Sequence, residues 1–546
     1  MGNKQHRIGS VLVDASQDKS QDRYSEGDIE NELLDIVREG RREEALRQDT
    51  RWPVLYHLSE ERQNIVSWLP LGKNDHVLEI GCGCGAITGA LCRRAGQVDA
   101  VEISPRRAEI AAWRNKDCAN LTIHVGNLND LALEASYDVV TLIGVLEYAV
   151  SFTHTQSPYH DFLVQCQRYL KPGGRLVIAI ENRLGMKYWS GAWEDHTGKP
   201  FDGILGYPGV RHVRTFSRQE LARLLTNAGY AGQQWYYPYP DYKFPMELHS
   251  DRRLPTVEEI RGSVNETYDR RRLEIFSEKE AFANILPAGL YPEFANSFLV
   301  VCGRDSWEDE QLPTYVHYAW YRPALYRIGT AIYERAGEKS VEKFTRSDAA
   351  RPHLRAIEEN GRILAKLYGK EHVAASHLVS PDVLACEYVD GTNFTDYCLN
   401  AANDKGLQGF VDALNFFSDH IVRGQGQQQP TSFDFDAPGR QYDVDLTYDN
   451  VYLQPDGGYK IIDYEFLSTN RFELYAILHA LLVFHQHHEE LWAKLDVSLE
   501  FFLNAYKLKQ NEWDAFKKDE AEYYHHLLDW YMRRYQRVRQ PLHIQA

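Results

Sequence analysis

Short apolar runs alternate with glycine-rich and polar segments between residues 71 and 305, which is the pattern of strands and helices in an α/β domain. The run VLEI (77–80) leads into the turn GCGCG (81–85) and then into a helix-like segment. A second apolar run begins at Gln97 and carries Glu102 near its end. A strand, a glycine turn and a helix in this order predict a nucleotide-type cleft at the end of the first strand.

The residues of this turn indicate how a ligand would be held. Gly81, Gly83 and Gly85 let the backbone turn tightly and approach a ligand closely. Glu79 precedes the turn. Glu102 lies twenty-three residues after Glu79, where a carboxylate can hold a ribose diol. Because dinucleotide-binding enzymes use similar turns, a Rossmann-like domain that binds NAD, or no nucleotide, is the alternative.

Three later segments, each a predicted strand or strand end, follow in order: GNLNDL (126–131), YDVVTLIGVLEYA (137–149) and LKPGGRLVIAIEN (170–182). Together with the cleft they resemble class I S-adenosylmethionine-dependent methyltransferases. The resemblance implies a Rossmann-like fold with S-adenosyl-L-methionine as cofactor. It also implies that Asn127 and Leu128 contact the adenine, and that Gly144 and Glu147 lie near the methyl-donor pocket.

A long polar insertion, residues 181–217, separates the fifth predicted strand from the next helix. Insertions of this length on an α/β scaffold usually carry function. His196 and His212 have near-neutral intrinsic pKa values, and we predict that they take a proton from an acceptor hydroxyl. Trp189 and Trp193 offer ring faces on which a sugar can stack. The alternative is a solvated loop whose histidines hold the backbone.

Two short apolar strands flank a turn at residues 455–458, which is the pattern of a β-hairpin. The hairpin is predicted to bring Asn450 and Asp463 face to face. Asp445 lies five residues before Asn450, the spacing at which a catalytic loop presents a carboxylate to a substrate hydroxyl and an amide oxygen to Mg²⁺. Asn450 and Asp463 are therefore the predicted Mg²⁺ ligands, and Asp445 is predicted to take or orient the hydroxyl proton.

An ion pair is predicted upstream of this hairpin. Lys343 ends a third short predicted strand, and a helix follows from about residue 352. The apolar stripe of that helix places Glu358, fifteen residues after Lys343, on its inward edge, so these two residues are predicted to pair. Glu359 is the alternative partner, because the register of the helix is not fixed by the sequence.

Segment 383–394, VLACEYVDGTNF, resembles the hinge between the lobes of a kinase, where the backbone from Glu387 to Val389 meets adenine. With the hairpin and the lysine, it resembles the protein-kinase-like superfamily, in particular the choline kinase and aminoglycoside phosphotransferase types. The resemblance implies a two-lobed α+β domain that binds ATP and Mg²⁺, with Lys343 bracing the ATP phosphates. Small-molecule phosphorylation is the favoured activity.

Three departures from the kinase pattern leave a second interpretation open. Asp443 stands where kinases keep a histidine, Glu465 stands in place of the glycine of the Asp-Phe-Gly triplet, and no full glycine-rich loop precedes the lysine. The four chemical groups that phosphoryl transfer needs are nevertheless all present, which favours an active phosphotransferase. The alternative is a pseudokinase that binds a partner or senses nucleotide.

Composition narrows the class of protein. The 546 residues carry a net charge of −17, which argues against a general nucleic-acid binder because Lys and Arg are clustered only locally. No apolar run approaches the ~20 residues of a membrane-spanning helix, and no signal peptide is visible, so a cytoplasmic location is expected. The eight cysteines lack paired spacing, so no zinc site is expected.

The motifs and the breaks in composition predict an order of domains along the chain. Trp52, Tyr56 and His57 are expected at the wall of the donor pocket. Aromatic and basic residues near the end of the chain are typical of a helix that lies on a membrane or binds a partner, the alternative being a final helix packed on its own domain. The predicted segments are 1–27 as a mobile N-terminal segment, 28–305 as the methyltransferase domain, 306–314 as a linker, 315–515 as the kinase-like domain and 516–546 as an amphipathic helix.

The order of the two domains resembles bifunctional enzymes that cap the growing end of bacterial O-antigen polysaccharide by phosphorylating a sugar hydroxyl and then methylating the phosphate. This resemblance implies a glycan or sugar acceptor, including a lipid-linked one, with glycan-assembly proteins as partners and a location at the inner face of the membrane. Two alternatives stay open: a methyltransferase with a pseudokinase domain, and a single-activity methyltransferase that acts on a small metabolite or a protein.

Overall fold

The computed structural model describes ten stretches of the chain, and the chain divides into two compact units. The first unit comprises Met1–Trp320, Tyr333–Ala336 and Trp530–Ala546, and the second comprises Tyr321–Ile332 and Gly337–Asp529. Each unit is described by itself. The described residues are 5–19, 26–133, 136–263, 272–305, 310–319, 322–422, 442–468, 473–505, 509–527 and 542–543.

The first unit is an α/β domain built on one mixed sheet. Its strands are β1 (Gln5–Ile8), β2 (Val11–Asp14), β3 (His76–Ile80), β4 (Gln97–Glu102), β5 (Leu121–Val125), β6 (Tyr137–Ile143), β7 (Leu170–Glu181), β8 (Gly232–Tyr239), β9 (Glu247–Ser250), β10 (Leu273–Glu274), β11 (Ser297–Gly303) and β12 (Tyr315–Tyr318). Its helices are α1 (Ile29–Arg38), α2 (Arg42–Gln48), α3 (Trp52–Leu58), α4 (Asn64–Ser67), α5 (Thr88–Arg94), α6 (Pro105–Arg114), α7 (Ala149–Phe152), α8 (Pro158–Tyr169), α9 (Met186–Trp189), α10 (Arg218–Asn227), α11 (Val257–Gly262), α12 (Glu278–Ile285) and α13 (Tyr291–Phe294).

The strand order places a crevice at the end of β3. In this unit the sheet runs β1-β2-β5-β4-β3-β6-β7-β11-β8-β9-β12, and the strands from β2 to β7 are parallel. The chain continues from β3 to β4 on one side and later returns to β6 on the other side. Ligands of open α/β sheets bind at such a switch point, outside the carboxyl ends of the strands.

The central strands form because their apolar runs are buried on both faces of the sheet. Leu78, Val140 and Ile178 are fully buried and belong to one large core with helix residues such as Leu163 and Leu221. Strands that are covered on both faces read as continuous apolar runs, which is why the strands at 77–80 and 137–143 are visible in the sequence.

The N-terminal segment departs from the expectation of mobility. Residues 5–14 form β1 and β2, and β2 pairs in parallel with β5, with Leu12 opposite Thr122. Val11 and Val13 are buried and cover the edge of the sheet, so their apolar surface stabilises a strand where the surrounding polar residues suggest none.

The boundary between the predicted domains also lies elsewhere. Residues 315–318, predicted to open the kinase-like domain, form β12, which pairs antiparallel with β9, with Tyr315 opposite His249. Val316 and Tyr318 are buried there, and residues up to Trp320 belong to the first unit. The predicted linker at 306–314 is therefore part of the first unit, and its residues 306–309 lie outside the described residues.

The second unit is an α+β arrangement with three hydrophobic clusters among its described residues: one around α14 and β16, one around α15 and α16, and a small one of Val444, Tyr475, Leu478 and Phe516. Its strands are β13 (Gly329–Arg335), of which residues 333–335 are assigned to the first unit, β14 (Glu338–Phe344), β15 (Ser376–Ser380), β16 (Val383–Cys386), β17 (Thr392–Asn393), β18 (Tyr442–Asp443), β19 (Val451–Leu453), β20 (Tyr459–Ile461) and β21 (Leu467–Ser468). Its helices are α14 (Arg351–Tyr368), α15 (Phe394–Phe416), α16 (Glu473–His487), α17 (Glu489–Leu495), α18 (Leu499–Ala505) and α19 (Gln510–Leu527).

The C-terminal helix predicted for residues 516–546 is described only in part. Helix α19 begins at Gln510, before the predicted start, and ends at Leu527. Residues 528–541, which carry the aromatic and basic cluster, lie outside the described residues, and a short strand β22 (Leu542–His543) pairs in parallel with β10. Within the described ranges, no helix combines the length and the apolar character that crossing a membrane requires.

Candidate functional site

A cavity of about 380 Å³ opens at the switch point of the first unit. This volume lies in the range of small-molecule sites, about 300–1,000 Å³. Residues from every predicted element of the cleft line it, including Glu79, Gly81, Gly83, Glu102, Asn127, Leu128, Gly144, Glu147, Glu181 and His196.

The glycine turn is held by β4. The backbone N–H of Gly81 donates to the Val101 carbonyl (2.8 Å), and that of Gly83 donates to Glu102 Oε2 (2.8 Å). The other oxygen of Glu102 accepts from the Ser104 N–H (2.9 Å). Because each carboxylate oxygen has two lone pairs, Glu102 keeps acceptor capacity for a ligand diol at the mouth of the cavity. Gly85 lies behind the turn, where a Cβ would meet Ala111 Cα at 2.8 Å.

Two buried carboxyl groups lie under the turn. Burial, together with the charge of Glu102, raises the pKa of Glu79 to about 7. Burial also raises the pKa of Glu102, although the hydrogen bond from Ser104 opposes this shift. Desolvation disfavours the charged form of a carboxyl group, which is the cause of both shifts.

Helix α3 forms one wall of the cavity, as the sequence predicts. Trp52 and Tyr56 stack with ring centroids 5.1 Å apart, and His57 Nε2 lies 3.2 Å from the Glu26 carboxylate. Arg107 binds the same Glu26 carboxylate at 2.8 Å. All five residues line the cavity. Glu26 and Arg107 were not predicted from the sequence. Glu26 lies in a polar segment and Arg107 lies on helix α6, and neither belongs to a recognisable motif.

Asn127 and Leu128 lie in the loop after β5, where adenine contacts were predicted. The Asn127 side chain accepts from the Asn129 N–H (3.0 Å) and begins a single 3₁₀ turn. Leu128 is buried beneath it. This turn fixes the loop at the cavity wall.

His196 also lines the cavity, and it lies between carboxylates from three elements. Its Nδ1 lies 2.9 Å from Glu194 Oε1, and its Nε2 lies 3.7 Å from Glu147 Oε1 and 3.8 Å from Glu181 Oε2. Burial lowers the pKa of His196, but the charges of Glu181 and Glu147 and the contact with Glu194 outweigh burial and raise it well above its usual value.

His212 is not at this site, so its predicted role as proton acceptor is wrong. Its side chain is exposed on the surface, and its carbonyl accepts from the Ser151 hydroxyl (2.8 Å). The neighbouring Val213 is buried and turns the side chains on either side of it outward.

Two lysines compensate the carboxylates near His196. Lys243 Nζ donates to Glu181 Oε1 (2.5 Å) and to Asp195 Oδ1 (2.9 Å), and Lys187 Nζ lies 3.0 Å from Asp195 Oδ2. Burial lowers the pKa of Lys243, but Asp195, together with other nearby carboxylates, raises it well above its usual value. Lys243 and its neighbour Tyr242 were not predicted from the sequence. They follow β8, and only the folded chain places them near the ends of the parallel strands.

The second unit contains the hairpin that the sequence predicts. Strands β19 and β20 pair antiparallel, with Val451 opposite Ile461, and the Ile462 N–H donates to the Asn450 carbonyl (2.9 Å). Asn450 Nδ2 donates to the Asp445 carbonyl (2.7 Å). Asp463 follows directly and adopts a φ of +55°. Asp445, Asn450 and Asp463, which are predicted to serve phosphoryl transfer, therefore lie at one end of the hairpin.

Lys343 pairs with two carboxylates that follow β20. Its Nζ lies 2.5 Å from Asp463 Oδ1 and 2.5 Å from Glu465 Oε1. Glu465 is also held by Arg322, and His353 Nε2 lies 3.4 Å from its second oxygen. Burial lowers the pKa of Lys343, but the two carboxylates outweigh burial and raise it.

The predicted pair between Lys343 and Glu358 is therefore wrong. Glu358 instead pairs with Arg362 (3.0 Å) and accepts from the Leu378 N–H (3.3 Å). Helix α14 turns Leu354 and Ile357 into the core, which leaves Glu358 beside β15. Glu359, the alternative partner, also binds Arg362 (3.0 Å).

Asp443, Asp445 and the predicted hinge segment are further parts of this unit that the sequence singled out. Burial raises the pKa of Asp445 and that of Asp443 well above the usual range, and neighbouring carboxylates add to the shift. In the segment predicted as a hinge, Glu387 is exposed and its backbone N–H donates to the Ala375 carbonyl (2.8 Å). Val389 is half-buried.

Comparison with known proteins identifies the domain that carries the glycine turn. Residues 78–176 match the profile of a family described as a methyltransferase domain. This match supports a class I S-adenosylmethionine-dependent methyltransferase domain in the chain. The methyltransferase domain is 29% identical over 157 residues to the ubiquinone biosynthesis O-methyltransferase of Xanthomonas euvesicatoria, covering 28% of this chain and 61% of that protein. It is 32% identical over 132 residues to the demethylmenaquinone methyltransferase of Tropheryma whipplei, covering 24% and 48%.

Solved structures are also similar to this chain. A complex of the Haloferax volcanii Trm112 methyltransferase activator with a methyltransferase matches with a TM-score of 0.29 and 19% identity, covering 50% of this chain and 96% of that chain. The N-methyltransferase NodS from Bradyrhizobium japonicum, with S-adenosyl-L-homocysteine, matches with a TM-score of 0.22 and 20% identity, covering 27% and 74%. The chain spans about 61% of the length of the first curated relatives that the methyltransferase domain matches.

Proposed function

We propose that the first unit transfers a methyl group from S-adenosylmethionine to an acceptor oxygen. The observation that carries the proposal is Glu102, which orders Gly83 and Ser104 through both carboxylate oxygens at the mouth of a cavity at the switch point of the sheet. A carboxylate at this position suits the ribose diol of the donor. The open space at Gly83 and the aromatic wall of α3 suit the rest of a nucleoside.

The cofactor supplies an electrophilic methyl group on a sulfonium. The glycine turn and the loop at Asn127 orient the donor, and Trp52 and Tyr56 exclude water from one side of the cavity. His196 lines the same cavity and faces the acceptor. Holding donor and acceptor in line is the main contribution that such a site makes to methyl transfer.

We propose a bacterial surface glycan, including a lipid-linked one, as the acceptor. The order of the two predicted domains supports this proposal, as do Trp189 and Trp193 of the insertion, which are 40% and 50% exposed and offer ring faces to a sugar. Partners among glycan-assembly proteins and a place at the cytoplasmic face of the membrane belong to the same proposal. A small metabolite or a protein acceptor is the alternative.

Transfer of labelled methyl from S-adenosylmethionine to detergent-extracted bacterial glycan tests the proposal. Labelling by the intact protein that is lost in Glu102→Gln is the expected result. Labelling of a quinone precursor or a protein with no labelling of glycan would replace the acceptor and keep the reaction. Absence of S-adenosylmethionine binding would remove the reaction itself.

We propose phosphotransferase activity for the second unit as a second function. The favouring observation is the contact between Lys343 and Asp463 (2.5 Å) beside Asn450 and Asp445, the four groups that phosphoryl transfer from ATP with Mg²⁺ requires. Asp463 and Asn450 would hold Mg²⁺, Lys343 would brace the phosphates and Asp445 would orient the acceptor hydroxyl. A pseudokinase domain is the alternative.

ATP turnover that depends on Mg²⁺ separates these two alternatives. The wild-type protein and Asp463→Ala are compared with and without the glycan extract. Turnover that glycan stimulates and that the substitution abolishes is expected. Binding of ATP without turnover would assign the second unit to nucleotide sensing.

A further inference from the structure

Three ligand-type side chains meet at the acceptor end of the cavity. Glu147, Glu181 and His196 each offer one atom, and these atoms all lie within 4.8 Å of one another. His196 Nε2 is 3.7 Å from Glu147 Oε1 and 3.8 Å from Glu181 Oε2, which is too long for a direct hydrogen bond. Because such ligand atoms lie about 2.0–2.2 Å from a bound cation, two ligands of one ion are separated by at most about 4.4 Å, and both distances from His196 Nε2 meet that limit.

The two glutamates carry the second observation. Glu147 Oε2 and Glu181 Oε2 have no hydrogen-bond partner among the residues that the structure describes, although Glu147 is 1% exposed and Glu181 is 0% exposed. Both residues line the cavity. A buried carboxylate oxygen without a partner is costly, so a ligand in the cavity is needed to compensate both.

The orientation of His196 is the third observation. Glu194 accepts backbone N–H bonds from His196 (2.8 Å) and Thr197 (2.6 Å) and a hydroxyl bond from Tyr207 (3.1 Å), which fix its carboxylate. Since a carboxylate only accepts, we assign the proton on His196 Nδ1 to the bond with Glu194 (2.9 Å). In the neutral ring the lone pair of Nε2 then faces Glu147 and Glu181. Histidines that bind metals are commonly held by a carboxylate in this way.

We propose that Glu147, Glu181 and His196 bind a divalent cation that holds the acceptor oxygen during methyl transfer. The proposal rests on the proposed methyltransferase function of the same cavity. One imidazole and two carboxylates suit Mn²⁺, Fe²⁺ or Zn²⁺ better than Ca²⁺, and three protein ligands leave at least one position open for the acceptor. Lys243 binds only the other oxygen of Glu181, so it does not compete for the position that faces His196.

The proposed cation activates the acceptor hydroxyl for attack. Binding to the cation lowers the pKa of the hydroxyl, so its proton leaves to solvent before or during attack. The oxygen then forms a bond to the methyl carbon, and the carbon–sulfur bond breaks with its electron pair going to sulfur, which yields the neutral thioether. The acceptor class is therefore an oxygen compound that reaches the cation directly, such as a sugar hydroxyl or a phosphate.

Titration with Mn²⁺, followed by electron paramagnetic resonance, tests the site in the full chain after chelator treatment. The titrations use the Asp463→Ala background, so that the proposed Mg²⁺ site of the second unit does not contribute. One bound Mn²⁺ is expected, with affinity reduced at least tenfold by Glu181→Gln or Glu147→Gln. Glu109→Gln, a carboxylate on α6 that binds Arg38 and Arg106, is the control and keeps the affinity.

Binding of S-adenosylhomocysteine, measured by calorimetry on the same proteins, separates the two proposals. Its affinity should stay within about twofold in all variants, because the cation faces the acceptor. If Mn²⁺ fails to bind, or binds equally in Glu181→Gln, the cation proposal is wrong while the methyltransferase proposal stands. If S-adenosylhomocysteine does not bind the wild-type protein, the methyltransferase proposal itself is wrong.

A second measurement needs no substitution at the three proposed ligands, so misfolding of a ligand variant cannot account for its result. Co²⁺ added to the Asp463→Ala protein should give visible absorption bands typical of nitrogen and oxygen ligands in a site of low symmetry. Those bands should shift when an acceptor hydroxyl compound is added. Bands identical to those of Co²⁺ in buffer would mean that His196 is held by the carboxylates as an imidazolium, and would overturn the proposal.

Discussion

At the scale of single residues, the donor site depends on the geometry of one carboxylate. Glu102 ends β4, and its two oxygens accept from Gly83 and Ser104 at 2.8 and 2.9 Å. The same side chain is buried, so a contact that it loses is not readily replaced by water. Small changes at this residue should therefore be visible in ligand binding.

Replacement of Glu102 by Gln should weaken S-adenosylhomocysteine binding by about 10- to 100-fold, since hydrogen bonds to a charged group contribute about 1.5–3 kcal/mol. The amide keeps the volume but presents two donors where backbone N–H groups need an acceptor. Calorimetry on the full chain measures the change, with Glu109→Gln as the control. Equal affinities in the two variants would exclude a donor-binding role for Glu102.

Replacement of Glu79 by Gln should change how stability depends on pH. The pKa of Glu79 is about 7 in the folded protein, above the ordinary value of 4.5, so the folded protein holds the proton more tightly than the unfolded chain does. The free energy of unfolding is then highest below the lower value and falls as pH rises towards the upper value, by up to about 3 kcal/mol. Glu102 contributes in the same direction.

Denaturant unfolding at about pH 5, 6, 7 and 8, without ligand, measures this slope. Glu79→Gln should lose most of the decline, while the part due to Glu102 persists. Parallel curves for the wild type and the variant would show that Glu79 is ionised in the folded protein.

At the scale of elements, the three glycines of the turn between β3 and α5 have different surroundings. Gly81, Gly83 and Gly85 all have positive φ, but only at Gly83 would a Cβ meet no described atom within 4 Å. At Gly81 it would lie 2.6 Å from Val145, so there the fold excludes a side chain. The first and third glycines therefore serve packing, and the second serves close approach of a ligand.

Gly83→Ala and Gly173→Ala form a matched pair for this point. Both positions have positive φ (+54° and +76°) and open space, so each substitution should lower stability by about 1 kcal/mol through the backbone. Only Gly83 lines the cavity. Calorimetry should find S-adenosylhomocysteine affinity reduced at least tenfold in Gly83→Ala and unchanged in Gly173→Ala, whereas equal affinities would place the ligand elsewhere.

The position of the segment after β20 determines which carboxylates pair with Lys343. Glu465→Gln should weaken ATP binding by about tenfold or more, because the ammonium loses one of two charge-assisted bonds. Glu358→Gln is the control and should leave it unchanged, since Glu358 pairs with Arg362. Fluorescent-nucleotide titration measures both, and the reverse ranking would restore the pair predicted from the sequence.

At the scale of the whole molecule, the chain carries two units with separate hydrophobic cores and separate candidate sites. The donor cavity lies in the first unit, and the cluster of Lys343, Asp463 and Glu465 lies in the second. Because a ligand stabilises the state that binds it, each ligand should raise a melting temperature through its own site.

Glu102→Gln should abolish the thermal shift caused by S-adenosylhomocysteine and keep the shift caused by ATP with Mg²⁺. Asp463→Ala should have the opposite effect. Differential scanning calorimetry with each ligand alone measures four shifts on the two variants. A shift lost for both ligands in one variant would mean that the substitution disrupts folding, and a variant at Asp251, exposed in the first unit, would then serve as the reference for stability.

The sequence by itself determined the elements that depend on neighbouring residues. The strand at 77–80, the glycine turn and the carboxylate at Glu102 lie within one short stretch, and the hairpin of β19 and β20 is closed by its own turn. Such elements are set by local hydrogen bonds and by the period of apolar residues, which a sequence displays directly. The cofactor class of the first unit follows from them.

Only the tertiary structure decided which distant side chains meet. His196 lies between Glu147 and Glu181 whereas His212 faces solvent, and Lys343 binds Glu465 rather than Glu358. The strands at residues 5–14 and 315–318 likewise join the first sheet because their apolar side chains are buried there. These outcomes depend on the packing of segments far apart in the chain, where the direction of each side chain follows from burial and not from spacing.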